Sequence, residues 1–236
     1  MSQAGRRAPP LRATTVEAVV FDAYGTLLDV HAAMAAHADR LPPDWERISA
    51  EWRAKQLEYT WIRTLTGPGH HVDFWTVTQE ALAYVAARHR ITDPAVLDAL
   101  LATYRHLPAY PDAAPTLRAL QGAGIKTAIL SNGSPGMLRD AVETGKLAPM
   151  LDAVLSVEDL GTFKPDARVY GLAGATFGLE PGRMGFVSSN AWDAQAAGAA
   201  GFQVFWCNRT GAPIEYGLDD DATIIPGLGD LVLLLT

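Results

Sequence analysis

The amino-acid sequence predicts an α/β fold: a doubly wound parallel sheet with an inserted helical cap domain. Short apolar runs rich in β-branched residues recur along the chain, as expected for strands buried on both faces. Helical patterns alternate with these runs, and such alternation is typical of a parallel sheet. One connection, at residues 31–107, is far longer than a crossover between parallel strands requires and contains no convincing strand pattern.

The strands and helices of the sheet region follow from these patterns. Strands are predicted at residues 16–21, 126–130, 153–157, 184–188 and 202–207. Helices are predicted at residues 112–121, 135–144, 166–177 and 192–200, with Gly122, Gly178 and Gly201 near their ends as stop signals.

The long connection contains further helical patterns at residues 45–65, 73–89 and 93–104. We expect these helices to cover the edge where the strands end, because ligands of open α/β folds bind at that edge. The predicted organisation is therefore a flexible N-terminal tail at residues 1–14, an α/β core at residues 15–30 plus 108–236, and a helical cap domain at residues 31–107.

Composition and charge exclude several classes of function. A hydrophobic fraction of 49% and a charged fraction of 19% are ordinary for a globular protein with a packed core. The net charge of -7 offers no basic surface, so we expect no nucleic-acid partner. No apolar run is long enough to span a membrane, and residues 1–15 contain no apolar stretch typical of a secretory signal.

The cysteine and histidine residues indicate neither a disulfide framework nor a zinc site. A single cysteine, Cys207, excludes an internal disulfide framework and suits a reducing cytoplasm, the location that we expect. The six histidines lack the paired helical spacing of a zinc site. We therefore expect no zinc site.

Polar residues follow the first two predicted strands. Asp22 ends the first strand, where a nucleophile of an α/β enzyme would lie, and Thr26 follows in a tight turn. Ser131 and Asn132 end the second strand, beside exposed amides that suit an anion. Each cluster also has a simpler explanation: Asp22 is typical of a turn, and Ser134 is typical of a helix cap.

The later strands add a cation and a second carboxylate. Lys164 precedes Pro165, a proline that can open the following helix. The fourth strand leads into Ser188, Asn190 and Asp193, for which capping of the next helix and an interaction with its dipole are the simpler roles. Because four polar clusters follow four separate parallel strands, we interpret them as one site.

The ordered segments FDAYGT, LSNG, KPD and SSNAWD, within roughly residues 16–210, resemble the motifs of the haloacid dehalogenase (HAD) superfamily. The resemblance implies an HAD-like Rossmannoid core with an aspartate nucleophile. Phosphatases of this superfamily have a second aspartate two positions after the nucleophile, where this chain has Tyr24. They also have a Gly-Asp pair that helps to hold magnesium, where this chain has Ser189 and Asn190. Both departures resemble the L-2-haloacid dehalogenase family.

This resemblance implies the activity, the partners and the site residues. The implied reaction is hydrolysis of short (S)-2-haloalkanoic acids to (R)-2-hydroxyalkanoic acids through an ester on Asp22, without a metal ion or any other cofactor. The implied partners are the 2-haloacid substrate, the halide product and a second copy of the chain in a homodimer. The candidate catalytic residues are Asp22, Thr26, Arg53, Ser131, Lys164, Ser188, Asn190 and Asp193. The candidate substrate-binding and halide-binding residues are Ala23, Tyr24, Arg53, Leu57, Phe74, Ser131, Asn132, Lys164, Tyr170 and Trp192.

The implied roles divide these residues into groups. Halide would leave toward Arg53 and Asn132, and Ser131, Lys164 and backbone amides after the first strand would bind the substrate carboxylate. Asp193, with Ser188 and Asn190, would orient the water that hydrolyses the ester, while Thr26 would orient the nucleophile. Ala54 departs from the family pattern, which has glutamine there, and this bears on the size of the pocket.

Two other functions stay open at this point. A magnesium-dependent phosphatase acting on a small phosphomonoester would keep Asp22, Ser131 and Lys164 in similar positions, although it would need the missing second aspartate. A ligand-binding protein that has the fold without the activity is the alternative from a different class.

Overall fold

The computed structural model describes residues 15–236, which form a parallel six-stranded sheet with helices on both faces. The tail predicted at residues 1–14 lies outside the described residues. The strands are β1 (Ala18–Phe21), β2 (Lys126–Ser131), β3 (Ala153–Ser156), β4 (Met184–Ser188), β5 (Gln203–Cys207) and β6 (Thr223–Ile225). The helices are α1 (Ala32–Ala35), α2 (Trp45–Thr66), α3 (Phe74–His89), α4 (Pro94–Arg105), α5 (Ala113–Gly122), α6 (Pro135–Thr144), α7 (Ala167–Phe177), α8 (Ala191–Ala199), α9 (Leu218–Asp221) and α10 (Gly229–Leu235).

The strand order is β3-β2-β1-β4-β5-β6, and all pairs are parallel. The chain moves outward from β1 to β3 on one side, then returns to the centre and moves outward from β4 to β6 on the other. The order therefore reverses between β1 and β4, and ligands of doubly wound sheets bind at the carboxyl ends of the strands at such a point. The predicted α/β fold is confirmed.

The two central strands are fully buried, which explains their apolar sequences. Every residue of β1 and of β4 is buried. Gly185 lets β5 pack against β4, because a Cβ atom there would lie 3.0 Å from Cε2 of Phe205. Burial on both faces holds the ends of β1 and β4 in fixed positions, and the site is built on these ends.

Between β1 and β2 the regular elements are helical, as predicted for this stretch. Asp73 and Asp93 cap α3 and α4, since their carboxylates accept hydrogen bonds from the backbone N–H groups of Thr76 and Ala95. Helices α2 and α3 pack against each other along much of their length and bury Trp52 and other apolar side chains between them. The boundaries of the cap domain, 31–107, stay a prediction.

The structure corrects several predicted elements. The sequence analysis missed β6, a short edge strand in which Ile224 is exposed, and it missed the short helices α1, α9 and α10. Pro165 does not open α7; Asp166 caps that helix by accepting a hydrogen bond from the N–H of Arg168. Gly178 ends α7 in the left-handed conformation, as its predicted role as a stop signal requires.

Among the described helices, none combines the length and the apolar character that crossing a membrane requires.

Candidate active site

Asp22 lies immediately after β1, and its backbone N–H donates to the carbonyl oxygen of Val187 on β4 at 2.9 Å. Its carboxylate is buried and accepts hydrogen bonds on both oxygens. Oδ1 accepts from Nζ of Lys164 at 3.1 Å. Oδ2 accepts from Nδ2 of Asn190 at 2.8 Å and from Oγ1 of Thr26 at 3.2 Å. These donors fix the orientation of the carboxylate.

A tight turn brings Thr26 back to the carboxylate. The carbonyl oxygen of Ala23 accepts from the N–H groups of Thr26, Leu27 and Leu28, at 3.2, 2.9 and 3.0 Å. Gly25 adopts φ 92°, a conformation that favours glycine. The Thr26 hydroxyl accepts from the N–H of Ser189 at 2.9 Å, so its own proton is directed toward Asp22.

Lys164 connects the two carboxylates of the site. Its Nζ lies 3.1 Å from Oδ1 of Asp22 and 2.8 Å from Oδ2 of Asp193, and its side chain is 1% exposed. Burial alone lowers the pKa of Lys164, but the attraction of Asp193 and Asp22 outweighs it and leaves the pKa above the ordinary lysine value. An ammonium group therefore occupies the space between the carboxylates.

Asp193 is fully buried in the first turn of α8. Its Oδ1 accepts from the hydroxyl of Tyr170 at 2.7 Å, and its Oδ2 accepts from Lys164. Burial, with the neighbouring charge of Asp193, raises the pKa of Tyr170 well above its ordinary value, so this phenol stays a donor. Tyr170 was expected in the substrate pocket. The structure places it behind Asp193 instead, outside the residues that line the cavity.

The end of β2 contributes Ser131 and Asn132, which are both buried. Oγ of Ser131 accepts from the N–H of Gly133 at 3.1 Å. Oδ1 of Asn132 accepts from the backbone N–H of Lys164 at 2.9 Å, which leaves its Nδ2 as the donor of that side chain. A Cβ atom at Gly133 would lie 2.8 Å from the ring of Tyr24, so glycine is required for this close approach. Ser134 occupies the N-cap position of α6, as its simpler role predicts, although its side chain makes no capping hydrogen bond.

At the end of β4, Oγ of Ser188 accepts from the N–H of Asn190 at 3.1 Å. Asn190 stands at the start of α8, but its side chain makes no capping bond. The amide donates to Asp22 instead. Asp193 lies in the first turn of α8, as its simpler role predicts, and it also accepts from Lys164. The expected role of Asn190 in orienting water stays a prediction.

Helix α2 presents Arg53 and, one turn later, Leu57 to the same cavity. Nη2 of Arg53 donates to the carbonyl oxygen of Tyr24 at 3.2 Å. The ring of Tyr24 stacks on Tyr104 of α4 at a centroid distance of 5.8 Å and contacts Phe74 of α3 at the same distance. These contacts join the helical segment to the turn after the nucleophile.

A small cavity lies in front of Asp22. It is lined by Asp22, Tyr24, Arg53, Leu57, Phe74, Ser131, Asn132, Lys164 and Trp192. The remaining candidates, Ala23, Thr26, Ser188, Asn190, Asp193 and Tyr170, are not part of that lining. Ala54, expected to bear on the size of the pocket, is exposed and does not line the cavity.

Sequence reasoning missed two residues that contact this site. Tyr104 stacks on Tyr24, and Trp61 of α2 packs edge-on against Trp192 at a centroid distance of 5.5 Å. Aromatic residues in helices are ordinary core residues, so the sequence contains no signal that distinguishes them. The described residues include no group of three or more His, Cys, Asp or Glu side chains that could hold a metal ion.

Comparison with known proteins agrees with this arrangement. The family model of haloacid dehalogenase-like hydrolases matches residues 16–201. The (S)-2-haloacid dehalogenase 4A of Burkholderia cepacia is 47% identical over 203 residues, which cover 86% of this chain and 87% of that protein. The (S)-2-haloacid dehalogenase 1 of Pseudomonas sp. strain CBS-3 is 44% identical over 93% of this chain and 96% of its own.

A solved structure has the same architecture. The L-2-haloacid dehalogenase of Xanthobacter autotrophicus with chloropropionic acid covalently bound superposes with a TM-score of 0.84 and is 38% identical to this chain. The match covers 94% of this chain and 98% of that one. The fold of this chain therefore has its counterpart in a protein that holds chloropropionic acid covalently bound.

Proposed function

The chain belongs to the haloacid dehalogenase-like hydrolases and, within them, to the L-2-haloacid dehalogenase family; on this basis we propose that it hydrolyses short (S)-2-haloalkanoic acids to (R)-2-hydroxyalkanoic acids. The observation that carries the proposal is the Asp22 carboxylate. It is buried beside a small cavity, and donors hold both of its oxygens. A carboxylate so fixed and shielded from water is able to attack carbon.

The first step joins Asp22 to the substrate. A carboxylate oxygen of Asp22 attacks C2 of the 2-haloacid in line with the carbon–halogen bond. The new C–O bond forms as the halide leaves with the bonding electrons, which inverts the configuration at C2 and gives an ester. Thr26, Asn190 and Lys164 hold the carboxylate while the substrate approaches, so little reorganisation is needed in the transition state.

The second step hydrolyses the ester. Water attacks the carbonyl carbon of the Asp22 ester and gives a proton to Asp193. The bond between that carbon and the ester oxygen then breaks, the departing 2-hydroxyacid oxygen takes the proton from Asp193, and the second proton of the water is released to solvent. The restored carboxylate contains one oxygen from water. We assign the orientation of this water to Asp193, because its carboxylate is held by Tyr170 and Lys164 within the same site.

The cavity also supplies groups for the two anions. We assign the halide to Arg53 and to the Nδ2 group of Asn132, whose oxygen is already engaged with Lys164. These donors would stabilise charge that develops as the bond breaks. We assign the substrate carboxylate to Ser131, Lys164 and the backbone N–H groups of Ala23 and Tyr24. The apolar side chains of Leu57, Phe74 and Trp192 would surround the carbon chain.

The direct test compares two products. We expect free halide from (S)-2-chloropropanoate, little from the (R)-enantiomer and no phosphate from a generic phosphomonoester. Adding a chelator should leave the rate of halide release unchanged, because the ammonium of Lys164 provides the cation beside both carboxylates. Phosphate release that requires Mg²⁺, without halide release, would contradict the proposal.

The raised pKa of Lys164 predicts the alkaline limit of the reaction. Burial favours the neutral amine, but Asp193 and Asp22 raise the pKa above the ordinary value of 10.5. The ammonium, with the stability that it contributes, is therefore fully present below about pH 10.5 and is lost only as the pH rises through the folded-state value. We expect kcat/KM for halide release to show no decline from Lys164 between neutral pH and about 10.5. A decline centred well below that pH, with circular dichroism unchanged, would contradict this assignment.

We further propose that the chain forms a homodimer in the cytoplasm. The family resemblance supports the dimer, and the exposed apolar side chains of Ile62 and Leu65 on α2 offer a surface for it. The single thiol, Cys207, is buried at the end of β5, which suits a reducing compartment. Sedimentation at micromolar concentration tests the first proposal, since a monomer would exclude it; cell fractionation tests the second.

A further inference from the structure

Arg209, just beyond β5, makes a set of contacts that the proposed chemistry does not use. Its Nη1 and Nη2 donate to the two carboxylate oxygens of Asp112, at 2.7 and 2.9 Å. Nη2 also donates to the backbone carbonyl oxygen of Thr26 at 3.0 Å. The guanidinium lies over the ring of Tyr110, 4.2 Å from its centroid. Paired donors of this kind restrain both position and orientation.

The partners of Arg209 lie where the helical segment joins the sheet. The N–H of Tyr110 donates to the carbonyl oxygen of Leu27 at 2.8 Å, and the N–H of Asp29 donates to the carbonyl oxygen of Pro108 at 3.0 Å. Leu28 and Ala109 form an antiparallel bridge. The two chain segments that connect the helical segment to the sheet are therefore hydrogen-bonded side by side. Arg209 contacts Thr26 just before this paired stretch, Tyr110 within it and Asp112 just after it.

Asp112 is itself held in place. Its Oδ2 also accepts from the N–H of Leu228 at 3.0 Å. Burial raises the pKa of Asp112, but the hydrogen bonds from Arg209 and Leu228 outweigh it and leave the pKa below the ordinary aspartate value. The ion pair is therefore intact at neutral pH.

Thr26 connects this ion pair to the nucleophile. Its carbonyl oxygen accepts from Arg209, while its hydroxyl accepts from Ser189 and donates to Oδ2 of Asp22. Thr26 is fully buried, so its backbone and side chain cannot move independently of these partners. We propose that Arg209 is a positioning residue that, with Asp112, fixes the turn after the nucleophile and the base of both connections to the helical segment. As far as turnover is concerned, this inference rests on the proposed dehalogenase function.

The test uses Arg209→Ala in the full chain, with Arg183→Ala as the matched control. Arg183 is a half-exposed arginine that pairs with Glu17 away from the cavity. We expect Arg209→Ala to lower the single-turnover rate of halide release roughly 10- to 100-fold, with a small change in KM, because a displaced nucleophile loses alignment rather than binding. The Arg209 side chain is 19% exposed, so added guanidinium should reach its site and restore part of the rate.

A second readout does not depend on activity. Amide hydrogen exchange should accelerate at residues 23–30 and 108–112 in Arg209→Ala, while β2 and α3 keep the exchange of the parent chain. If the parent chain released no halide but this local change appeared, the proposed dehalogenase function would be wrong, whereas the positioning role of Arg209 would be supported. If Arg209→Ala does not fold, Asp112→Asn serves in its place, with the same local change and a smaller loss of rate expected.

Two results would overturn the inference. One is an unchanged rate of halide release with a lower melting temperature, since that describes a residue important only for stability. The other is unchanged exchange in both segments.

Discussion

Asp22→Asn is expected to lose halide release by roughly 10⁴-fold or more, the scale typical of removing a catalytic nucleophile. Asparagine preserves the size of the side chain but replaces a carboxylate oxygen with an amide nitrogen, which is a poor nucleophile and cannot accept from both sets of donors around position 22. Single-turnover halide release, together with the intact mass of the protein, measures the effect.

The matched control is Asp98→Asn, because Asp98 is an exposed residue of α4 that does not line the cavity. It should release halide at the parent rate. Substantial turnover by folded Asp22→Asn, with the amide shown to be intact by peptide mass, would contradict the assignment of the nucleophile.

Asp193→Asn is expected to separate the two steps of the reaction. The amide keeps the size of Asp193 and can still accept one hydrogen bond from Lys164 or Tyr170, but it cannot take a proton from water. We expect ester hydrolysis to slow roughly 10³-fold and ester formation to slow much less, so that a covalent adduct accumulates. Intact mass should increase by the mass of the carboxyalkyl fragment left after halide departure.

Tyr170→Phe is the control for this variant, because it removes one hydrogen bond to Asp193 and keeps both carboxylates. It should accumulate far less adduct. Slow release of the first halide from Asp193→Asn, without accumulation of an adduct, would place Asp193 in the first step. It would contradict the assignment of Asp193 to ester hydrolysis.

The sequence predicted five of the six strands, but its expectation that all of them are buried on both faces is wrong for β3, which has no buried residue. The apolar runs of β1 and β4 are long enough to indicate strands buried on both faces, and both occur as predicted. Strand β6 has only three residues, Thr223–Ile225, one of which is exposed, so no local pattern distinguished it from a loop. The strand is defined by its pairing with β5, a tertiary contact that the local sequence does not indicate.

The candidate site divides in the same way. The position of Asp22 and Ser131 at the ends of adjacent strands follows from the topology, which the sequence predicted. The contacts of Asn190 do not follow from the topology, because whether this residue caps α8 or donates to Asp22 depends on where its side chain lies in space. Arg209 gave no signal, since its partners Asp112 and Thr26 lie 97 and 183 residues away along the chain.

Oxygen tracing in a single turnover tests the nucleophilic role of Asp22 most directly. Enzyme in excess over (S)-2-chloropropanoate, in water enriched in ¹⁸O, should yield lactate that contains only unlabelled oxygen at C2. The peptide that contains Asp22 should gain one heavy oxygen in the same turnover. Labelled lactate from the first turnover, with an unlabelled Asp22 peptide, would mean that water attacks the substrate directly and would contradict the ester mechanism.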